Sequence, residues 1–304
     1  MNILITGGAG YIGSALIEKL VQINGIENIR IYDNLYRNNY SVFMGYNIGT
    51  KINIEFIKGD ILDTRKLEKA LKNIDIVYHL AAKVSTPLSN ENPHEFDQIN
   101  NWGCAELSYL IEKSEVKKII YASSLSVYGA SEERLNLDSP LQPKTFYGIS
   151  KLNGENHLIR LRNQGKQLIT LRLGNVYGPA KGIRFDSVIN RFMFEAHYNR
   201  RIKINGNGDQ VRSFVHIDRL SSFLSSLTSN DTLNGNYNVI ENNYSINDIV
   251  DELKLLYPNL ETVFVNQNMQ MRSLSLNTDN RISAFSSNQN LSEDLQNFKN
   301  SMSF

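Results

Sequence analysis

"TGGAGYIG", residues 6–13, decides how the rest of the chain is read. Gly7, Gly10 and Gly13 recur every third position, and Gly8, Gly10 and Gly13 also satisfy G-x-G-x-x-G. Glycine at these places permits a tight turn, lets the backbone approach a pyrophosphate, and lets the next helix pack closely. The helix N-terminus then offers unpaired amides and a positive dipole end to phosphate oxygens. A β-α turn without any ligand can share the pattern, so its surroundings must decide. The apolar run "NILIT", 2–6, leads into the glycines, and "IGSALIEKLVQ", 12–22, follows with helical spacing. That placement predicts a dinucleotide site contacted by Gly7, Gly10, Tyr11, Ile12 and Gly13.

The same alternation continues outward. "IRIYD", "IEFIKGD", "DIVYHLAA", "KKIIYASS" and "LITLRLGN" read as strands, several of them so uniformly apolar that both faces of their sheet must be covered. Helical patterns such as "TRKLEKALKN" and "EFDQINNWGCAELSYLIEKS" lie between them. The expected fold is α/β, a doubly wound parallel sheet of the Rossmann type. The rhythm breaks at "YGPAKGIRF", 177–185, after which strand signals become sparse. Residues 1–175 are therefore assigned to a dinucleotide-binding domain and 176–304 to a smaller lobe, with segments near 214–250 free to return to the first. The Asn- and Ser-rich tail, 286–304, is expected to be a frayed helix or partly disordered.

Composition narrows the partners. The 304 residues carry 32 Lys plus Arg against 31 Asp plus Glu, a formal charge of +1, so no basic footprint argues for nucleic acid. No apolar run approaches the ~20 residues of a membrane span, and the start of the chain lacks the pattern of a secretory signal. One cysteine, Cys104, excludes an internal disulfide and suits a reducing cytoplasm. The histidines are scattered, so no metal site is expected, and His79 reads as a packed side chain.

Asp33 ends the second strand, where a carboxylate meets the adenosine ribose hydroxyls and repels a 2′-phosphate. NAD is thus expected over NADP, with nearby Arg37 a solvated loop residue. Asp60 is placed to accept from the adenine amino group, unless it caps a helix in place of Asp63 or Thr64. Farther on, "TFYGISK", 145–151, sets Tyr147 one helical turn ahead of Lys151. A phenol titrates near 10, and lowering that by ~3 units takes ~4 kcal/mol. A unit charge ~4 Å away supplies ~1 kcal/mol in water but ~4 at an effective dielectric of ~20. The pair is therefore catalytic only in a partly dry site.

Together, "TGGAGYIG", Asp33, "HLAA" (79–82), "YASSLSVYG" (121–129), "YGISK", "LRLGNVYGP" (171–179) and "GNGDQVRSFVHID" (206–218) resemble an extended short-chain dehydrogenase/reductase. The likeness is to the NAD-dependent sugar-nucleotide epimerase/dehydratase family, UDP-hexose 4-epimerases in particular, and runs over roughly residues 1–281. It implies that Tyr147 is the acid/base, Lys151 its modulator and a ribose ligand, and Ser124 the hydroxyl that bonds the sugar oxygen. Asn34, Ile61, Leu80, Ala81, Ala82, Asn100 and Ser123 join the cofactor contacts, Asn100 also bending its helix and holding a water. Ser85, Asn175, Arg212 and Arg272 are implied for the substrate, the arginines gripping the diphosphate. The resemblance also implies a homodimer through helices near 94–113 and 146–164. Ser213, His216 and Arg219 depart from the family pattern.

Related dehydratases place an Asp-Glu pair directly after the catalytic Ser/Thr, and decarboxylases keep a Glu there. Leu125 and Ser126 occupy those positions, which disfavours elimination. The expected function is C4 epimerisation of a UDP-hexose through a 4-keto intermediate. Reduction of a 4-keto-deoxysugar nucleotide by NAD(P)H is the alternative, ahead of a dehydratase or a non-catalytic NAD sensor.

Overall fold

Ile3, Leu4 and Ile5 are 0% exposed because β1 (Asn2–Thr6) runs through the middle of a parallel sheet covered on both faces. The computed structural model describes residues 1–44, 52–84, 92–266, 273–279, 281–282 and 290–303. Its strands continue as β2 (Asn28–Asp33), β3 (Asn53–Lys58), β4 (Ile76–His79), β5 (Lys118–Ser124), β6 (Gln167–Leu173), β7 (Asn175–Tyr177), β8 (Arg201–Asn205), β9 (Val211–His216), β10 (Gly235–Val239), β11 (Asn242–Ser245) and β12 (Glu261–Val265). The helices are α1 (Tyr11–Leu20), α2 (Thr64–Ala70), α3 (Pro93–Phe96), α4 (Gly103–Glu112), α5 (Phe146–Asn163), α6 (Val188–Phe194), α7 (Ile217–Ser226), α8 (Ile246–Leu256) and α9 (Leu291–Asn300).

The large sheet has seven strands in the order β10-β6-β5-β4-β1-β2-β3, every pairing parallel. Side chains alternate across it with the strand period. Ile3 and Ile5 pack with Leu16 and Ile17 of α1 and Leu220 and Leu224 of α7. Leu4 points the other way, into a cluster with Leu67, Leu107 and Leu158 from α2, α4 and α5. The strand order reverses between β1 and β4, and such a switch point opens a crevice at the carboxyl ends of the strands.

A second lobe forms where strand signals had looked sparse. Three strands pair as β11-β9-β7 and two as β12-β8, around a core of Phe192, Ile202, Ile204, Phe214, Ile249 and Leu253. These strands escape a periodicity reading because they are short and half-polar: along β8 only Ile202 and Ile204 are buried. Between them, α7 packs on α1 and β10 pairs with β6, which carries the chain back to the large sheet.

The tail, expected as a frayed helix or partly disordered, carries helix α9 packed on the second core among its described residues. Leu291, Leu295 and Phe298 of α9, spaced by four and three, are 2%, 0% and 2% exposed in the second core. Asp294, on the same face, is also buried because Arg219 donates to it at 2.7 and 3.0 Å and Tyr177 at 2.5 Å. Arg219 spans further to Glu241, so the departure noted at this position completes a buried charge cluster.

Candidate active site

The glycine turn sits at the switch point. Gly7 has φ +72°, and a Cβ there would lie 2.5 Å from the Ala81 nitrogen; one on Gly13 would lie 2.6 Å from the Gly7 oxygen. Only glycine fits this crossing of β1 and β4. Gly10 caps α1 without a side-chain hydrogen bond, and no acid lies in the first turn, so the amides near Tyr11, Ile12 and Gly13 face an anion-ready helix end. Leu80, Ala81 and Ala82 run alongside, Leu80 donating to the Thr6 oxygen at 3.0 Å.

Asp33 closes the far side. Its carboxylate accepts from the amides of Ala9 at 3.0 Å and Leu35 at 2.8 Å, while burial pushes its pKa up against those bonds. Asn34 donates to Asp60 at 2.9 Å. Helix α2 is capped by Asp63, which leaves Asp60 out of that role; Ile61 beside it is buried. This cradle fits a dinucleotide: a side-chain-free turn, an uncapped helix end and a carboxylate at the end of β2, bonded to the amide of Ala9 in the turn.

Ser124, Tyr147 and Lys151 converge from two elements. Ser124 ends β5 and caps the 3₁₀ turn Leu125–Tyr128; Thr145 caps α5 through a bond to the Gly148 amide at 3.1 Å, starting the helix one residue before Tyr147. Burial pushes the Tyr147 phenol above its ordinary pKa, a hydrogen bond with Ser124 pulls it down, and so does the positive field of Arg184. Lys151 is 2% exposed, with Nζ 4.5 Å from the centre of the Tyr121 ring. Burial lowers its pKa to about 8, against the opposing pull of Cys104 and Glu155. A cation whose field reaches the phenol is Arg184.

Asn100 lies in a π-helical turn, Asp97–Trp102, and is 1% exposed. Its amide accepts from the Lys83 nitrogen at 2.8 Å and donates to the Lys83 oxygen and to Ser150 Oγ, both at 3.0 Å. His79 is packed between Thr6 and Cys104, stacked on Tyr121, and burial lowers its pKa to about 3. Among the described residues no group of three or more metal-binding side chains is gathered.

In the second lobe, Asn175 is exposed and donates to the Ser213 oxygen at 3.1 Å. Arg212 is half-buried, its guanidinium bonded to the Val211 oxygen at 2.9 Å, and burial lowers its pKa with no carboxylate opposing the shift. Ser85 and Arg272 lie outside the described residues. Two features escaped the sequence reading. Arg184 sits in a Gly/Pro-containing connection with no periodicity to mark it; it donates to Asp186 at 3.0 and 2.8 Å, and Asp186 also pairs with Arg37 at 3.5 Å. Ser123 donates to Glu155, which holds Arg172 through bonds of 3.1 and 2.8 Å. Extending the Tyr147–Lys151 stripe by one more turn would have found Glu155.

Fold and site define a dinucleotide-dependent enzyme. The profile of the NAD dependent epimerase/dehydratase family matches residues 3–239, and the chain belongs to that family. NAD is its cofactor. A Methanocaldococcus jannaschii protein named as a candidate UDP-glucose 4-epimerase is 35% identical over 221 residues, 71% of this chain and 69% of that protein. Human dTDP-D-glucose 4,6-dehydratase is 35% identical over 233 residues, 74% of this chain but 65% of the human protein. The structure of a UDP-glucuronic acid 4-epimerase mutant from Bacillus cereus, in complex with a fluorinated UDP-sugar and NAD, aligns with TM-score 0.86 and 26% identity over 99% of this chain and 98% of that one.

Proposed function

We propose that the protein is a sugar-nucleotide epimerase that inverts C4 of a UDP-hexose through a 4-keto intermediate. The carrying observation is the makeup of the pocket around Tyr147. Its phenol is bonded to Ser124, and no carboxylate is among the groups that shift it. Leu125 is buried and Ser126 is tied to Ser124, so the positions where elimination needs acids hold none. Proton removal from a 4-hydroxyl, and its return, need only the groups present.

In this mechanism Ser124 bonds the 4-oxygen and Tyr147 takes its proton as hydride leaves C4. Bound NAD supplies the hydride acceptor. Once the keto sugar has turned over and its other face is reduced, Tyr147 would give the proton back to the 4-oxygen. Lys151 would bond the nicotinamide ribose and, with the cofactor's positive ring, would lower the phenol pKa further. The amides of 10–13 and Asp33 would hold the dinucleotide, with Asn34, Asp60, Ile61, Leu80, Ala81, Ala82, Asn100 and Ser123 lining it. Arg212 and Asn175 take the diphosphate, since a desolvated guanidinium lacking a carboxylate partner favours an anion.

We place the enzyme in the cytoplasm as a homodimer. Trp102 at the head of α4, Tyr109 on α4, and Phe146, Ile149 and Ile159 on α5 are 56%, 47%, 45%, 40% and 46% exposed, an apolar face suited to a second copy. No described helix is long and apolar enough to cross a membrane.

The test is incubation without added cofactor with UDP-glucose, UDP-galactose and their N-acetyl forms, and with UDP-glucuronate because Arg184 brings a cation near Tyr147. Chromatography is expected to show C4 inversion with no net change at the reduced-nicotinamide absorbance. Inert substrates, together with one-for-one oxidation of NADH or NADPH by a 4-keto sugar nucleotide, would replace this assignment with the reductase.

A further inference from the structure

Tyr147, Lys151 and Glu155 follow one another at four-residue steps along α5 and so form one stripe, each a turn from the next. Glu155 is 7% exposed and forms a two-bond pair with Arg172 of β6, itself 3% exposed. Replacing such a pair by apolar side chains is often neutral or stabilising, so stability alone gives little reason to keep it. Its remaining bonds run toward the site. Ser123, next to Ser124, donates to Glu155. Arg172 Nη1 donates to the Tyr128 hydroxyl at 2.8 Å, which donates to Asn238 at 2.9 Å, so the pair joins α5 to the 3₁₀ turn behind Ser124 and to β10.

We propose that Glu155 is a positioning residue: it anchors the Ser123–Ser124 end of β5 and supplies the anion that faces the Lys151 ammonium in its buried pocket. The inference rests on Tyr147 and Lys151 being the proton-transfer pair. The other groups packed around Lys151 bring no charge that could replace it. His79 on β4 and Cys104 on α4 are neutral near pH 7, their pKa values moved by burial to about 3 and about 11. Tyr121 on β5 is protonated, because burial drives its pKa up. Arg172 adds a cation, not an anion. On the turns facing the outer part of α5, Glu95 is taken by Lys83 at 2.7 Å and Asp97 by Asn101 at 2.9 Å. Arg184 reaches the pocket only from the Tyr147 end. A buried ammonium is otherwise driven to shed its proton, and a neutral Lys151 cannot assist the phenol.

The test reads Lys151 directly and needs no sugar. In the NAD-loaded protein labelled with ¹³C-lysine, the Lys151 Cε resonance is assigned by its loss in Lys151→Met and followed against pH. Glu155→Gln keeps shape and bonding capacity but removes the anion, and the titration midpoint is expected to fall by about one unit. Arg172→Met removes the compensating cation, and the midpoint is expected to rise. The double variant, which removes the pair as a unit and is the one most certain to fold, should lie between Glu155→Gln and the wild type. Midpoints that stay put, or move the same way in both single variants, would show a purely structural pair and overturn the proposal. Because no substrate enters, this result is independent of whether the enzyme proves to be an epimerase.

Discussion

Arg184, carried on the second lobe, exerts an attractive field on the phenol of Tyr147 in the first. The proposed acid/base is therefore tuned by burial upward, and downward by its bond to Ser124 and by a cation from the opposite lobe. A base must be deprotonated to act, so the rate rises with pH through the phenol pKa. Removing the cation in Arg184→Met raises that pKa, and the rising limb of the kcat/KM profile is expected to move to higher pH. A limb that does not move would mean that the Arg184 charge is fully spent on Asp186.

Tyr147→Phe keeps the ring and removes the proposed proton carrier. Turnover is expected to fall by ~10² or more while NAD stays bound, the usual scale for losing a general acid/base. Dinucleotide content by mass spectrometry, read beside the rate, separates this from a binding defect. Near-wild-type turnover at neutral pH would exclude the phenol as the proton carrier.

Asp33 accepts two backbone amides at the end of β2, where its carboxylate would meet a 2′-phosphate. NAD is expected to bind at least tenfold more tightly than NADP, about 1.4 kcal/mol. Titrating each into cofactor-stripped protein measures the ratio. Equal affinities would promote Arg37, whose guanidinium lies nearby and is bonded to the Val84 oxygen at 3.2 Å.

Much of this site is legible in the chain because its chemistry is local. Three glycines must recur within one short stretch to make the turn, and Tyr147 and Lys151 must be a helical turn apart to share a face. The first sheet is legible for a related reason: strands buried on both faces are apolar throughout. What stays hidden is set by contacts between distant segments. Arg184 acts at Tyr147 only because the second lobe folds over the first. Asp294 looks like a solvent residue in a polar tail until Arg219 is brought to it. The strands of the second lobe, each with one wet face, carry too few apolar residues to stand out.

The Arg219 cluster makes a stability prediction. Arg219, Asp294 and Glu241 have side chains 14%, 7% and 6% exposed. Removing Asp294 still leaves Arg219 paired with Glu241, but it strips the acceptor from two Arg219 bonds and from the Tyr177 hydroxyl inside this buried cluster, at a cost of about 3 kcal/mol. Asp294→Ala should lower the urea midpoint accordingly and release α9 first, seen as faster hydrogen exchange in Leu291–Asn300. A loss no larger than that of an exposed control such as Glu293→Ala would show that the cluster is not what holds the tail.

His79 sets an acid limit on the fold. It is 0% exposed, bonded to Thr6 and Cys104, and its pKa is lowered from 6.5 to about 3, first by burial and then by the nearby Lys151 charge. The unfolded chain binds a proton there below about 6.5 and the folded chain does not until about 3, so stability is lost as pH falls through that window. Between pH 7 and pH 5 this one group is expected to remove about 2 kcal/mol, given ~1.4 kcal/mol per pH unit once the unfolded imidazole is charged. His79→Gln removes the titrating ring. Whatever that variant loses at pH 7, its unfolding free energy should fall less steeply toward pH 5 than that of the wild type. Parallel slopes in urea titrations at the two pH values would mean that the folded protein can charge His79, and that its environment is wetter than its packing against Tyr121 and Cys104 indicates.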